Sequence, residues 1–173
     1  MLDDLNKRIK NNAPNINSLK GFEIICEAMV YKILDIFGKN ALLSMLFQIG
    51  AGPGTQISER LKRFYGKENF EILEALEILI SELKEFYAIQ IKNIQHTPDL
   101  VKIIIENRCF LRESIKKRTK LQYGKAFCKI NKGYFETAFK KLLGNKIKKI
   151  EINFLYNDEE KEVCVEELNF YLN

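Results

Sequence analysis

The sequence predicts an α+β domain in which an antiparallel sheet of about four strands packs against a helical layer. Three observations predict this fold. Helical apolar spacing runs through residues 22–83, alternating apolar residues begin near Tyr87 and again near Lys149, and a further helical stretch at 127–143 separates the two alternating regions. Each alternating region contains turn residues near its middle, so each is expected to fold as an antiparallel hairpin.

The chain length indicates a single domain with a short extension. At 173 residues, the chain can bury a core without disulfides to hold it. Residues 1–20 are polar and contain Asn11-Asn12-Ala13-Pro14-Asn15, so we assign them to an N-terminal arm with one short helix at 2–10. Residues 21–173 form the predicted single ligand-binding domain.

Composition favours a cytoplasmic protein. No stretch approaches the roughly 20 apolar residues of a membrane span, and the N-terminal residues lack the basic and then apolar order of a signal peptide. The four cysteines lie far apart, which in a reducing compartment favours free thiols or ligands over disulfides. The net charge is +5. Its basic clusters at 116–120 and 146–149 are interpreted as solvated surface rather than as a nucleic-acid site.

The first half of the chain is predicted to be helical. Polar residues form only a narrow stripe on the helix 22–37, which is therefore expected to be largely buried and to end at Gly38. A second apolar helix is expected at 41–49. The run Gly50-Ala51-Gly52-Pro53-Gly54 should interrupt it before residues 55–65 resume it. Gly50 and Gly54 permit close helix packing, at a dimer seam or inside the protomer. An amphipathic helix is predicted at 70–83.

The second half alternates hairpins and helices. The first hairpin pairs a strand that begins at Tyr87 with one through Val101, Ile103 and Ile105, across a turn at 95–99. A short helix at 109–118 and a longer one at 127–143 follow, the latter capped by Gly144. The last hairpin pairs the strands 149–154 and 163–165.

The last hairpin supports a geometric prediction. If Asp158 and Glu159 form its centre, Asn153 faces Cys164 and Glu151 faces Glu166. Glu151 and Cys164 are then diagonal neighbours on one face, about 7–8 Å apart at the backbone and able to share an ion. Periodicity alone does not bring Cys128 to the same place.

These motifs resemble the 4-vinyl-reductase (hydrocarbon-binding) domain family, which is related in fold to Bet3-like trafficking-particle subunits. The resemblance spans residues 22–170. It rests on the order of three features: the glycine-rich helix from Gly50 to Leu61, the strand Ile105-Glu-Asn-Arg-Cys-Phe110, and the helix beginning Cys128-Lys-Ile-Asn-Lys-Gly133, followed by the hairpin that carries Glu151 and Cys164.

The resemblance implies a homodimeric sensor of apolar small molecules with zinc near its ligand chamber. It implies Cys128, Glu151 and Cys164 as metal ligands, whereas Phe154 occupies the position of a further family cysteine. A fourth ligand would be water, Cys109, His96 or another carboxylate; otherwise the site is lost and packing alone holds the cavity. Apolar ligand-binding walls are expected from six residues: Ile25, Met29, Phe47, Phe110, Phe127 and Tyr134.

The function predicted from these features is non-enzymatic binding of an apolar small molecule, with a regulatory protein partner. The chain has no phosphate-binding or dinucleotide-binding glycine motif, and its single histidine lies in a turn, so no nucleophile and base pair is expected. The alternative is a structural adaptor dimer that docks protein or nucleic acid through its surface and has a filled core. A true reductase is supported by the family name alone.

Overall fold

The computed structural model describes residues 2–11, 18–116 and 123–173. It contains two compact units, Met1–Gly38 and Lys39–Asn173. Five helices and four strands are described: α1 Leu2–Asn11, α2 Ser18–Tyr65, α3 Ile72–Glu82, β1 Tyr87–Thr97, β2 Leu100–Cys109, α4 Arg112–Lys116, α5 Cys128–Leu143, β3 Ile147–Asp158 and β4 Val163–Leu172. A single 3₁₀ turn, Gly144–Lys146, joins α5 to β3.

The first unit contains α1 and the part of α2 that precedes Lys39. Gly38 has φ 77° and ψ 175°, so it interrupts the helix at the position where the sequence predicted an end. The predicted burial of the helix 22–37 is wrong for several large side chains. Exposed fractions of 58–65% are found at Phe22, Ile25, Met29, Ile36 and Phe37. A narrow polar stripe shows that a helix is apolar on most sides, but it does not supply the surface that would cover those sides.

One helix among the described residues is long and apolar enough to cross a membrane, judged by length and composition. This segment is Lys20–Tyr65, with a mean hydropathy of 1.2 in its most apolar window, of which 17% is buried. The sequence-based expectation of no span rested on unbroken apolar runs, whereas mean hydropathy tolerates scattered polar residues. Core helices of globular proteins share this composition.

The second unit is built on a four-stranded antiparallel sheet in the order β1-β2-β4-β3. Each outer strand forms a hairpin with an inner one, and β2 pairs with β4 to join the two hairpins. The hairpin β1–β2 turns through two residues, because Thr97 pairs with Leu100. The predicted α+β class with four antiparallel strands is confirmed.

Helices α3 and α5 cover one face of this sheet and form the core with it. The core extends from Leu61 to Phe170, and Phe70, Phe139 and Phe170 are among its fully buried side chains. Alternate residues of the strands face it, as expected from their period of two. Gly144 caps α5 at φ 56°, as the sequence predicted.

Helix α2 continues through the glycine-rich run, so the predicted interruption at residues 50–54 is wrong. These glycines are used for close packing against α5. A Cβ at Gly50 would overlap the carbonyl oxygen of Ile130, and one at Gly133 would overlap that of Phe47. Backbone contact of this kind holds the helix in place despite the cost of Pro53. The sequence left open whether Gly50 and Gly54 pack at a dimer seam or inside the protomer. The contact with α5 lies inside the protomer.

Candidate functional site

The side of the sheet that faces the helices is apolar at one end and polar at the other. At one end it carries Ile103, Leu168 and Phe170, all buried in the core. Toward the other end the same side of β2 and β4 carries polar and thiol groups. Asn107 pairs with Cys164 and Ile105 pairs with Glu166 in the register of these two strands. Polar side chains therefore occupy positions that alternation would otherwise assign to the core.

The first turns of α5 lie over this polar end of the sheet. The hydroxyl of Tyr87 donates to Oδ1 of Asn131 at 3.0 Å, and Asn131 also forms a side-chain hydrogen bond with Cys109. The N–H of Gly124 donates to Sγ of Cys128 at 3.1 Å. Asn131 is only 5% exposed, so these bonds satisfy a polar group that burial would otherwise penalise.

An open pocket of about 200 Å³ lies between α5 and the strands β3 and β4. Aromatic, aliphatic, basic and carboxylate side chains all contribute to its walls. It is lined by Gly124, Cys128, Lys129, Asn131, Lys132, Phe135, Ile152, Asn153, Phe154 and Glu166. Ligand sites typically combine an apolar wall with a few placed polar groups, which is the composition found here.

A second, smaller void of about 10 Å³ lies among core side chains. Three side chains, Phe135, Ile152 and Glu166, line both the void and the open pocket. The other residues of the void are aliphatic or aromatic. The core around this void is thus closely packed, and no large enclosed chamber is found there among the described residues; wider depressions of about 710 and 500 Å³ are open to the surface elsewhere in the second unit.

Glu166 has an unusual environment for a carboxylate. Its Oε2 accepts a hydrogen bond from Nδ2 of Asn107 at 3.3 Å. Burial raises the pKa of Glu166 to about 7, and the hydrogen bond from Asn107 opposes that effect. Within the described ranges, no lysine or arginine forms an ion pair with it. The carboxyl group therefore lines the pocket without a balancing cation.

The thiols of this region are poor nucleophiles. Burial is the main cause that raises the pKa of Cys128 and of Cys164 to about 12, and it raises that of Cys109 as well. Nη1 of Arg112 lies 3.8 Å from Sγ of Cys164 and donates to Oδ1 of Asn157 at 2.9 Å. Because the thiolate is the reactive form, thiols that stay protonated at neutral pH are inert.

The predicted register of the last hairpin is wrong. Cys164 pairs with Asn157, and Glu151 pairs with Asn169, five residues further along β4. This separation is about 17 Å at the rise of an antiparallel strand. The observed turn is centred two residues later than predicted, since Asp158 pairs with Val163.

The three predicted metal ligands do not fit a common zinc site. Glu151 accepts hydrogen bonds from Lys149 at 2.9 Å and from the hydroxyl of Tyr171 at 3.0 Å, on the sheet face away from the helices. Cys128 and Cys164 lie on the helix side. The described part of the chain contains no group of three or more His, Cys, Asp or Glu side chains placed to hold a metal. His96 pairs with Val101, at the opposite end of the first hairpin from Cys109.

The predicted ligand-binding residues occupy different parts of the chain. Ile25 and Met29 are exposed side chains of the first unit. Phe110 is exposed and Phe127 is buried. Tyr134 is in edge contact with Phe135 at 5.4 Å between ring centroids, and Phe135 lines the pocket. The carbonyl group of Phe47 lies against Gly133. None of these six residues lines the pocket described above, so their role as ligand walls stays a prediction.

Sequence reasoning missed Glu166, Asn131 and Phe135 as residues of the pocket. A signal for Glu166 was present, because it shares its parity with Leu168 and Phe170 on one strand. The incorrect register paired it with Glu151 and hid this relation. Phe154, which was noted as replacing a family cysteine, lines the pocket with its ring close to Gly124.

Solved structures with a similar fold include the following two. The first is the phenol-responsive sensory domain of the transcription activator PoxR with phenol, at a TM-score of 0.57 and 12% identity, covering 86% of this chain and 74% of that one. The second is a trafficking protein particle complex subunit 3 from Naegleria fowleri covalently bound to palmitic acid, at a TM-score of 0.61 and 13% identity, covering 88% and 95%. No protein-family model matches the sequence, and no curated protein matches it significantly.

These similarities confirm the fold relation to a trafficking-particle subunit and to a small-molecule sensory domain. At 12–13% identity, the likeness concerns the fold alone. Membership of the 4-vinyl-reductase family stays a prediction.

Proposed function

We propose that the second unit binds a small apolar molecule and acts as a non-enzymatic sensory domain. The observation that carries this proposal is the pocket between α5 and the strands β3 and β4, whose floor residues Phe135, Ile152 and Glu166 also line a void in the core. A rotamer change of Phe135 or Ile152 would join the two spaces. A small ligand could thereby reach apolar surface that is already sheltered from water.

The fold neighbours support the same function class. One is a sensory domain that responds to phenol and one carries a covalently bound palmitic acid, so this architecture accommodates apolar ligands in both proteins. The volume of about 200 Å³ in the open pocket favours a molecule smaller than a typical drug. The resemblance also implies a homodimer and a regulatory protein partner. We include both in this proposal as the means by which ligand binding is signalled.

The surface charges give the adaptor alternative little support. Lys116 pairs with Glu162 at 3.0 Å, Lys146 pairs with Glu71, and Lys149 pairs with Glu151 at 2.9 Å. Acidic partners thus neutralise parts of both basic clusters, whereas a nucleic-acid surface needs a focused positive potential. Residues 117–120 of the first cluster lie outside the described residues.

The test is ligand binding to the purified protein. Native mass spectrometry of gently purified protein, and melting temperatures with toluene and 4-methylphenol added, should reveal a small apolar ligand. The variant Lys129→Trp fills the mouth of the pocket and is expected to weaken binding by roughly tenfold or more. Lys140→Trp removes the same charge from an exposed site on the same helix and should bind normally.

Two results would refute the proposal. One is that no apolar molecule copurifies and neither probe raises the melting temperature. The other is that Lys129→Trp and Lys140→Trp bind the probes equally well, since binding would then take place elsewhere.

A further inference from the structure

Glu166 lies where the polar and the apolar parts of the pocket meet. Its neighbours in the open pocket include Asn131 and Lys132, whereas its neighbours in the smaller void include Ile89 and Phe139. One carboxylate oxygen, Oε2, accepts from Asn107. Across the described residues, Asn107 is the one hydrogen-bond donor to this carboxylate. The other oxygen, Oε1, accepts no hydrogen bond from the part of the chain that the structure describes.

Titratable groups from several elements surround Glu166. Tyr87 of β1, Cys109 of β2, Cys128 of α5 and Cys164 of β4 each lie close enough to Glu166 for an electrostatic interaction with it. All four stay neutral at neutral pH because burial raises their pKa values. The charged groups that line the pocket are Lys129 and Lys132, and Lys132 is paired with Glu136 at 3.3 Å. Among the described residues, neither lysine forms an ion pair or a hydrogen bond with Glu166, whose donor is the neutral amide of Asn107.

Resting on the proposed function, we propose that Glu166 anchors the hydroxyl group of a small aromatic ligand. The hydroxyl donates to the free carboxylate oxygen, while the ring of the ligand packs against Phe135, Ile152 and Phe154. Aromatic rings at two of these three positions favour an aromatic body over a linear chain. The pocket lysines disfavour an ammonium group. The ligand class is therefore a neutral hydroxylated aromatic molecule.

Three probes that differ in one group test this assignment. 4-Methylphenol has the ring and the donor, 4-methylanisole has the ring with a methylated oxygen, and toluene has the ring alone. Dissociation constants at pH 8, where Glu166 is mostly ionised, are measured by ligand-observed NMR and are expected to favour 4-methylphenol over 4-methylanisole by roughly tenfold or more. Glu166→Leu should reduce this preference to within about twofold and leave toluene binding intact.

Glu166→Gln keeps a side-chain carbonyl acceptor and should retain part of the preference for 4-methylphenol. It also provides a second variant if Glu166→Leu fails to fold. Melting curves of both variants show whether each is folded before its binding is interpreted.

The outcomes separate the anchor from the function. If none of the three probes binds the wild-type protein, the proposed function fails. If they bind with equal affinity, or if the preference for 4-methylphenol survives Glu166→Leu, small-molecule binding stands and the anchor is wrong. Tighter binding of 4-methylbenzylamine than of 4-methylphenol would overturn the hydroxyl as the recognised group.

Discussion

At the scale of single residues, the main anomaly is a carboxyl group on the core side of a strand. Glu166 shares this side with Leu168 and Phe170, yet its partner among the described residues is a neutral amide from Asn107. Burying a carboxylate without a cation destabilises the folded protein whenever the group is ionised. The Glu166 carboxylate therefore lowers the stability of the folded protein. A destabilising carboxylate of this kind is more typical of a binding residue than of a residue that only packs the core.

The stability of the folded protein should depend on pH through Glu166. Its pKa is raised from the ordinary 4.5 to about 7, so the folded state holds the proton more tightly than the unfolded chain does. Its contribution is fully present below about pH 4.5 and is lost as pH rises toward 7. Glu166→Gln removes this loss. The variant should gain up to about 3 kcal/mol over wild type at pH 8 relative to pH 4.5.

Urea unfolding at a series of pH values from 4.5 to 8 measures this difference. Glu59→Gln, on the exposed surface of α2, controls for the removal of one negative charge. If the stability difference between Glu166→Gln and wild type is the same at both ends of the range, Glu166 ionises freely in the folded state and the environment described here is wrong.

At the scale of elements, the helix pairing of α2 and α5 shows what a local pattern can and cannot predict. The spacing of Gly50 and Gly54 indicated close helix approach, and the structure has it, with Gly54 against Tyr134. The break expected from the same residues is absent. Glycine and proline propensities describe an isolated helix, whereas α2 is stabilised by its partner over this region.

Alanine substitutions along α2 should therefore have unequal effects two residues apart. Gly50→Ala places a Cβ against the carbonyl of Ile130 and should destabilise the protein by about 1–3 kcal/mol. A Cβ at Gly52 meets no atom of another element within 4 Å, so Gly52→Ala lacks this clash and should change stability by less than about 1 kcal/mol, because the gain in helix propensity is offset by crowding against the Pro53 ring. Chemical denaturation of both variants measures the contrast. Equal effects at the two positions would contradict the packing of α2 on α5.

The second hairpin shows why the site was harder to predict than the fold. Alternation at Ile150 and Ile152 predicted β3, but the strand β4 continues to Leu172, well past the predicted end at Val165. The turn spans residues 159–162, with Glu162 at φ 54°, and sequence alone placed its centre too early. An error of two residues in a turn leaves the fold unchanged, yet it changes which side chains face each other across the strands.

At the scale of the whole molecule, the site depends on contacts between distant parts of the chain. Asn107 meets Glu166 only because β2 pairs with β4, and Tyr87 meets Asn131 only because α5 lies over the sheet. Periodicity predicts elements and faces, so the two hairpins and the α+β class could be predicted. Periodicity does not specify which strands of the two hairpins pair with each other in the sheet. The contact between Asn107 and Glu166 depends on that pairing, so it could not be predicted.

The second unit should fold and bind by itself. Its core extends from Leu61 to Phe170, and every residue of the pocket lies between Gly124 and Glu166, so no member of either set belongs to residues 1–38. A protein of residues 39–173 is expected to unfold cooperatively, because cooperative unfolding requires one contiguous core and this unit has its own. It should also retain the affinity of the full chain for 4-methylphenol within about twofold.

Two measurements test these expectations. Thermal unfolding followed by near-ultraviolet circular dichroism tests the cooperativity, and NMR titration of the shortened and full chains compares their affinities. A shortened chain that unfolds without a cooperative transition would show that the core needs residues 1–38. One that folds but loses the ligand would move the binding site away from α5 and the last hairpin.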